Sequence, residues 1–295
     1  MVTQSDILRE IIINNSELKL ITVKKILFFI LIATFLTHNL SAQRGWEAGG
    51  GIGVSHYFGD LNTTFDVMHP GLAATAIARF NFNDRICLKM SANYGTISAD
   101  DKNSNNKYEL QRNLRFKSMI IDGAAQMEFN FLPYNYFDRT QRFSPYLFLG
   151  INVFNFNPKA KYEDKWYNLR PLGTEGQFRG EEYYTTQMGL VYGGGLKIAF
   201  NEEWSMNIEI SARKLFTDYL DDVSKVYPNM NDLRKANGSV AVTLSDPSLP
   251  DAEGRKLGQV GRQRGTKKDN DMYTFLTVSI LYYFGDLKCP KINNR

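Results

Sequence analysis

Three carboxylates fall within five positions in the run Arg213-Lys214-Leu215-Phe216-Thr217-Asp218-Tyr219-Leu220-Asp221-Asp222-Val223-Ser224. Asp218, Asp221 and Asp222 could together attract calcium, which takes several oxygen ligands. Their spacing is not that of an EF-hand, and no glycine occupies its turn position. The preferred reading is a polar loop start whose aspartates accept from nearby backbone N–H groups or from Arg213. His56 beside Ser55 is the one candidate base and nucleophile. Adjacent strand residues point to opposite faces, so the two make a poor pair. No catalytic residues, metal, cofactor or small-molecule substrate are therefore expected.

Two further patterns invite chemistry. Gly49-Gly50-Gly51, with Gly53, and Gly193-Gly194-Gly195 could cradle phosphate, but only between a strand and a helix N-terminus. No helical pattern follows either run, so relief of crowding or a strand bend is the better reading. Cys87 and Cys289 belong to no CxxC or Cys/His cluster, and the chain has only 3 His, which excludes a zinc site. Both cysteines read as lying at one end of the same fold. A disulfide there is conceivable, and two unpaired thiols is the simpler alternative.

The elements carrying these residues alternate with period two. Ile86, Leu88, Met90, Ala92 and Tyr94 alternate with Cys87, Lys89, Ser91 and Asn93. Eight such segments are expected at 46–58, 71–82, 85–94, 116–131, 144–156, 186–200, 204–216 and 272–284. All reach the ~9–11 residues that a tilted transmembrane strand needs, where soluble strands run nearer ~5–6. Connections alternate short and long. Asn83-Asp84 and Asn201-Glu202-Glu203 are tight, and Leu132–Phe143 is longer. The opposite end has connections of about a dozen, twenty, thirty and fifty-five residues, as bacterial barrels have short periplasmic turns and long outer loops. The expected fold is all-β: an eight-stranded antiparallel transmembrane β-barrel of outer-membrane type. Both mature termini would be periplasmic.

A barrel of this strand count leaves an interior that side chains can fill. The inward positions carry Glu47, Asp122, Glu128 and Glu209 against Arg79, Lys89, Lys197 and Arg213. The signs balance, so a structural ion-pair network plugging the lumen is preferred over a selective pore. Glu209 and Arg213 share the lumen face but stand too far apart along one strand to pair.

Composition agrees. The chain has 295 residues, with 20 Phe, 16 Tyr and 23 Gly, as aromatic girdles and glycine-rich strands produce. A mean hydropathy of −0.34 excludes a helical-bundle membrane protein but not a barrel. The net charge of +4 is not gathered on a basic face with interleaved aromatics, so no nucleic-acid partner is expected. Lys24-Lys25, the apolar run Ile26–Leu36 and Ser41-Ala42-Gln43 have the order of a secretory signal. Residues 1–42 are read as the signal peptide, 43–285 as the barrel and 286–295 as a periplasmic tail. Val23 stands directly before Lys24, so translation could begin there, leaving 1–22 untranslated.

The run from Arg213 through Tyr227, with Thr217-Asp218-Tyr219-Leu220-Asp221-Asp222 at its centre, resembles a stretch of a Bacteroidetes outer-membrane barrel family. That family includes the PorG component of the type IX secretion system. Gly53-Val54-Ser55-His56-Tyr57-Phe58-Gly59-Asp60-Leu61, Leu244-Ser245-Asp246-Pro247, Gln263-Arg264-Gly265, Asp271-Met272-Tyr273 and Cys289-Pro290 extend the resemblance over nearly the whole mature chain. It implies a non-enzymatic barrel in outer-membrane lipid that docks a periplasmic ring of secretion proteins. The segments able to reach such partners would be Leu132–Phe143, Asn201–Glu203 and Gly285–Arg295. The alternative is a stand-alone structural or adhesion-type barrel working through its outer loops.

Overall fold

The computed structural model describes residues 45–63, 67–178, 180–266 and 270–285. The signal segment, Cys289 and the tail lie outside these. Nine strands run through the described residues: β1 (Gly45–Phe58), β2 (Gly71–Asn81), β3 (Ile86–Asp100), β4 (Arg115–Asn130), β5 (Phe143–Tyr162), β6 (Lys165–Asn168), β7 (Thr186–Ala199), β8 (Trp204–Leu215) and β9 (Met272–Phe284). Every pairing is antiparallel. The order β4-β3-β2-β1-β9-β8-β7-β5, with β4 also paired to β5, closes an eight-stranded barrel. Closure leaves no barrel strand with an unpaired edge.

The period-two pattern produces two opposed faces. On β4 every second residue is buried from Phe116 to Asn130, while Met119, Ile121, Met127 and Phe129 are exposed. Ile52, Leu72, Leu149, Ile151, Val153, Ile210 and Val278 continue the outward apolar band around the barrel. Charged and amide side chains face in. This is the polarity of a barrel meant for lipid, the inverse of a water-soluble one. Aromatic residues edge the end with the short turns: Trp46 packs on Phe80 at 5.1 Å, Phe80 on Phe82 at 5.1 Å, and Trp204 on Tyr282 at 5.0 Å.

The tight turns are built by asparagine. Asn83 Oδ1 accepts from the N–H groups of Arg85 and Ile86, and Asn201 Oδ1 from those of Glu203 and Trp204. At the other end the structure departs from the periodicity reading. β3 runs on to Asp100 rather than stopping at Tyr94, and β5 runs on to Tyr162. β5 then folds into β6 through Glu163 and Asp164, both at positive φ (45° and 64°). Two helices, α1 (Lys107–Arg112) and α2 (Met230–Ser245), stand in what read as plain loops. Gly238 breaks α2 at φ 85°, which obscures its helical period in the sequence.

The glycine run of β1 has a steric cause. A Cβ built on Gly49, Gly51 or Gly53 would overlap a backbone carbonyl of β9, from Ile280, Val278 or Leu276 respectively. The two strands therefore approach more closely than side chains permit, as the expected relief of crowding requires. Gly51→Val is expected to destabilise the barrel by about 2 kcal/mol or more through β1–β9 separation. A lowered urea midpoint of the folded band on unheated gels checks it; Gly123→Val, where a Cβ meets nothing within 4 Å, is the control.

Candidate functional site

The lumen is filled in layers. At the short-turn end, the connection Leu132–Phe143, expected to reach the periplasm, also folds back onto the barrel. Tyr134 and Tyr136 turn into the barrel mouth and are buried. The Tyr136 ring stacks on Tyr283 at 4.8 Å, and its hydroxyl donates to Ser205 Oγ at 2.7 Å. Aromatic burial pulls this connection inward, which period-two patterning could not reveal.

Above that seal lies the charge network. Glu128 is fully buried and holds three cations. Its Oε2 lies 2.8 Å from Arg79 Nε and 2.6 Å from Lys197 Nζ, and its Oε1 lies 3.4 Å from Lys89 Nζ. Arg79 also binds Glu47 at 2.7 Å, and Lys89 also contacts Glu209. Asn81 donates to Glu47, and Tyr146 donates to Glu209. Arg213 belongs to a separate group: its Nε lies 3.3 Å from Asp122, which also accepts from Tyr273, Asn152 and Asn93. All eight charged lumen positions read from the sequence are thus brought inside, and Glu209 and Arg213 have different partners. Cys87 faces in as expected, free and buried, with its Sγ 3.6 Å from Lys197 Nζ. In so buried an interior each charge depends on its partners.

Higher still the lumen turns apolar. Phe116, Phe154, Phe156, Tyr273 and Phe275 pack beneath Leu61, Leu114, Leu220, Val223 and Leu244 of the outer connections. The connections form a folded cap continuous with the barrel core. His56 and Ser55 divide as expected: Ser55 Oγ donates to the Thr96 carbonyl at 2.6 Å, and His56 Nε2 lies 3.2 Å from the Val67 carbonyl.

The aspartate run organises this cap. Asp222 N–H donates to the Tyr219 carbonyl at 3.2 Å, and Asp222 stands at φ 70°, a region that Asp tolerates better than most residues. Asp221 Oδ1 accepts from Val223 N–H at 2.9 Å, and its other oxygen accepts from Tyr57 Oη at 2.5 Å. Tyr57 Oη lies 3.1 Å from Asp271, which takes Leu220 N–H at 2.9 Å. Asp222 accepts from Thr174 and from Tyr183 Oη at 2.8 Å. Backbone capping is met at Asp221, while Asp222 takes side-chain hydroxyls; Arg213 is not the partner and points down into the lumen at Asp122. The cation here is Arg264, legible in the sequence only through the resemblance at Gln263-Arg264-Gly265. Its Nη1 lies 3.2 Å from Glu175 and 2.5 Å from the Asp222 carbonyl, and its Nη2 lies 3.8 Å from the Asp222 carboxylate. Arg112 binds Asp101 through two bonds of 2.8 Å and reaches the carbonyls of Asp60 and Arg264.

Burial pushes the Asp222 carboxyl up to about 6, against the pull of Arg264 and of its two hydroxyl donors. Burial, and then mutual repulsion with Asp271 and Asp60, holds Asp221 well above the usual carboxylate range. Asp271 is raised by burial and by Asp218. No group of three or more His, Cys, Asp or Glu among the described residues has a metal-holding arrangement. A cavity of about 140 Å³ lies in the cap between α2 and the outer ends of β4 and β5, with Asp221 and Arg264 in its wall.

A family model described as Domain of unknown function (DUF6089) matches residues 24–239. No curated protein matches the chain. Among solved structures, Ail, the attachment invasion locus protein of Yersinia pestis, is 11% identical with a TM-score of 0.40, covering 82% of this chain and 99% of that one. The outer membrane protein OprG from Pseudomonas aeruginosa is 10% identical with a TM-score of 0.41, covering 83% and 98%. Neisserial surface protein A is 12% identical with a TM-score of 0.39, covering 81% and 97%.

Proposed function

The chain belongs to the family described as Domain of unknown function (DUF6089), and we propose that it works as a closed, non-enzymatic scaffold barrel of the outer membrane. One observation carries this reading: the lumen is filled from mouth to cap, by Tyr134 and Tyr136, then the Glu128 cluster, then aromatics. A filled interior suits neither conduction nor a substrate cleft. The exposed apolar band and aromatic edge support residence in lipid, with the folded cap outside the cell and the short turns in the periplasm.

The finer proposal is an accessory role in type IX secretion, in which the periplasmic rim docks a ring complex. Its support is the aspartate-run resemblance together with the surface left at that rim. Leu132, Arg139, Thr140, Glu202 and Glu203 remain exposed around the sealed mouth. Leu132→Glu with Arg139→Glu should leave the barrel folded and abolish co-purification of ring subunits from crosslinked cells. Unchanged recovery of the ring with these residues and Glu202 and Glu203 all altered would defeat the docking role. The size of the folded cap favours the second reading, a stand-alone barrel acting at the cell surface. Deletion that leaves type IX export intact would select it.

A further inference from the structure

The outward face of the barrel is not uniform above its apolar band. On β4 the outward residues rise from Ile121 and Met119 to Lys117 and Arg115; on β5 they rise from Val153 through Asn155 and half-buried Asn157 to Lys159 and half-buried Lys161. In the β4–β5 register Met119 faces Asn157, and one step higher Lys117 faces Lys159 directly. Like charges directly opposite are destabilising unless something lies between them. Neither lysine has an anionic partner among the described residues. Arg115 donates to the Lys161 carbonyl at 2.7 Å, which holds its guanidinium beside the pair. Trp166 of β6 stands opposite Lys161 and is half exposed. The nearby anions are Asp164, which binds Lys161 at 2.6 Å, Glu163 beside it in the β5–β6 turn, which accepts from Tyr162, and Asp100, which faces Arg115 across β3–β4 and takes Lys102 N–H. At the outer ends of other strands the same face carries Phe58, Leu72, Met188 and Met272, while Lys214 of β8 is tied to the Asn270 carbonyl. The cations are thus gathered on one flank.

We infer that Lys117 and Lys159, flanked by Arg115, Lys161 and Trp166, bind the phosphate of an outer-leaflet glycolipid headgroup of the lipid A class. The placement is what such a ligand needs. Lys117 sits one step above Met119, with Ile121 next below it, and Asn155 and Asn157 lie between Lys159 and Val153, so acyl chains would lie along the band while a phosphate bridges the two ammonium groups. Trp166 stands where a sugar plane would stack, and an aromatic at headgroup level is favoured there. This rests on the proposed orientation, with the cap outside the cell.

The test uses the full-length protein in phosphatidylcholine nanodiscs, doped with lipid A or with its dephosphorylated form. Native mass spectrometry should show retention of lipid A and not of the dephosphorylated lipid. Lys117→Gln with Lys159→Gln should weaken retention by about tenfold or more, since hydrogen bonds to charged groups are worth that much. Lys117→Arg with Lys159→Arg should retain the lipid, which separates lost charge from lost fold. Equal retention of both lipids, or an unchanged Gln variant, overturns the inference. Displacement by millimolar inorganic phosphate also overturns it, because the site would then bind a free ion. Protease cleavage of the cap on whole cells reads orientation separately: a protected cap sinks the orientation, whereas a cleaved cap with no lipid selectivity sinks this inference alone.

Discussion

Glu128→Ala is expected to cost the barrel about 3–5 kcal/mol, the range for stripping one partner from a buried ion cluster. The loss falls unequally on the three cations. Arg79 keeps Glu47 at 2.7 Å and Lys89 keeps Glu209. Lys197 keeps the Cys87 thiol at 3.6 Å and the rings of Tyr146 at 4.7 Å and Tyr134 at 5.7 Å, none of them an anion. Lys197 is therefore the charge left without an anion, and it is fully buried. Adding Lys197→Met should recover a large part of the loss, because removing both members of a buried pair costs far less than removing one. The measurement is a double-mutant cycle on urea midpoints, read from the shift between folded and unfolded bands. A single-mutant loss under about 1 kcal/mol would show that water reaches the cluster and that the lumen is not a dry plug.

That cluster also marks the limit of what the sequence discloses. Period two puts Arg79, Lys89, Glu128, Lys197 and Glu209 on the inner face, because alternation is a local property of each strand. Which of them meet depends on strand stagger, which fixes the height of each residue in the barrel. Glu128 and Lys197 lie on β4 and β7, which are not neighbours in the sheet, so no local rule links them. The same holds in the cap. Thr217–Asp222 is conspicuous in the sequence, yet Arg264 and Thr174 reach Asp222 from distant connections. Asp218, Asp221 and Asp222 side by side suggest a cation, and the cation is a guanidinium far down the chain. The inward collapse of Tyr134 and Tyr136 stayed hidden for another reason. Their burial is against Tyr283 and Ser205, not within a repeating face. The β5–β6 hairpin is not legible because the four residues of β6 are too few to show an alternation.

Arg264→Met should loosen the cap while leaving the barrel folded. The guanidinium is 1% exposed and serves Glu175, the Asp222 carboxylate and carbonyl, and the Ser245 carbonyl at 3.2 Å. Its removal leaves two buried carboxylates short of a cation, a local cost of about 3–5 kcal/mol. Hydrogen exchange in 217–266 should rise sharply at pH 7.5, with the amides of β1–β5 unchanged. The acid dependence gives the sharper test. Burial already raises Asp222 from 3.8 to about 6 in the wild-type cap. A folded-state value above the unfolded one means that the native cap binds the proton more tightly. The stability from this group is then complete below about 3.8 and is lost as pH climbs through about 6. Asp221 and Asp271, also raised, act in the same direction. Without Arg264 one of the forces lowering Asp222 is gone, so the window extends upward and the variant gains more than wild type on acidification. Exchange in the Arg264→Met cap should therefore slow between pH 7.5 and pH 5, after correction for the intrinsic rate. Equal protection at both values would mean that Asp222 and Glu175 find water once the guanidinium is gone, and that the cap does not hold them dry.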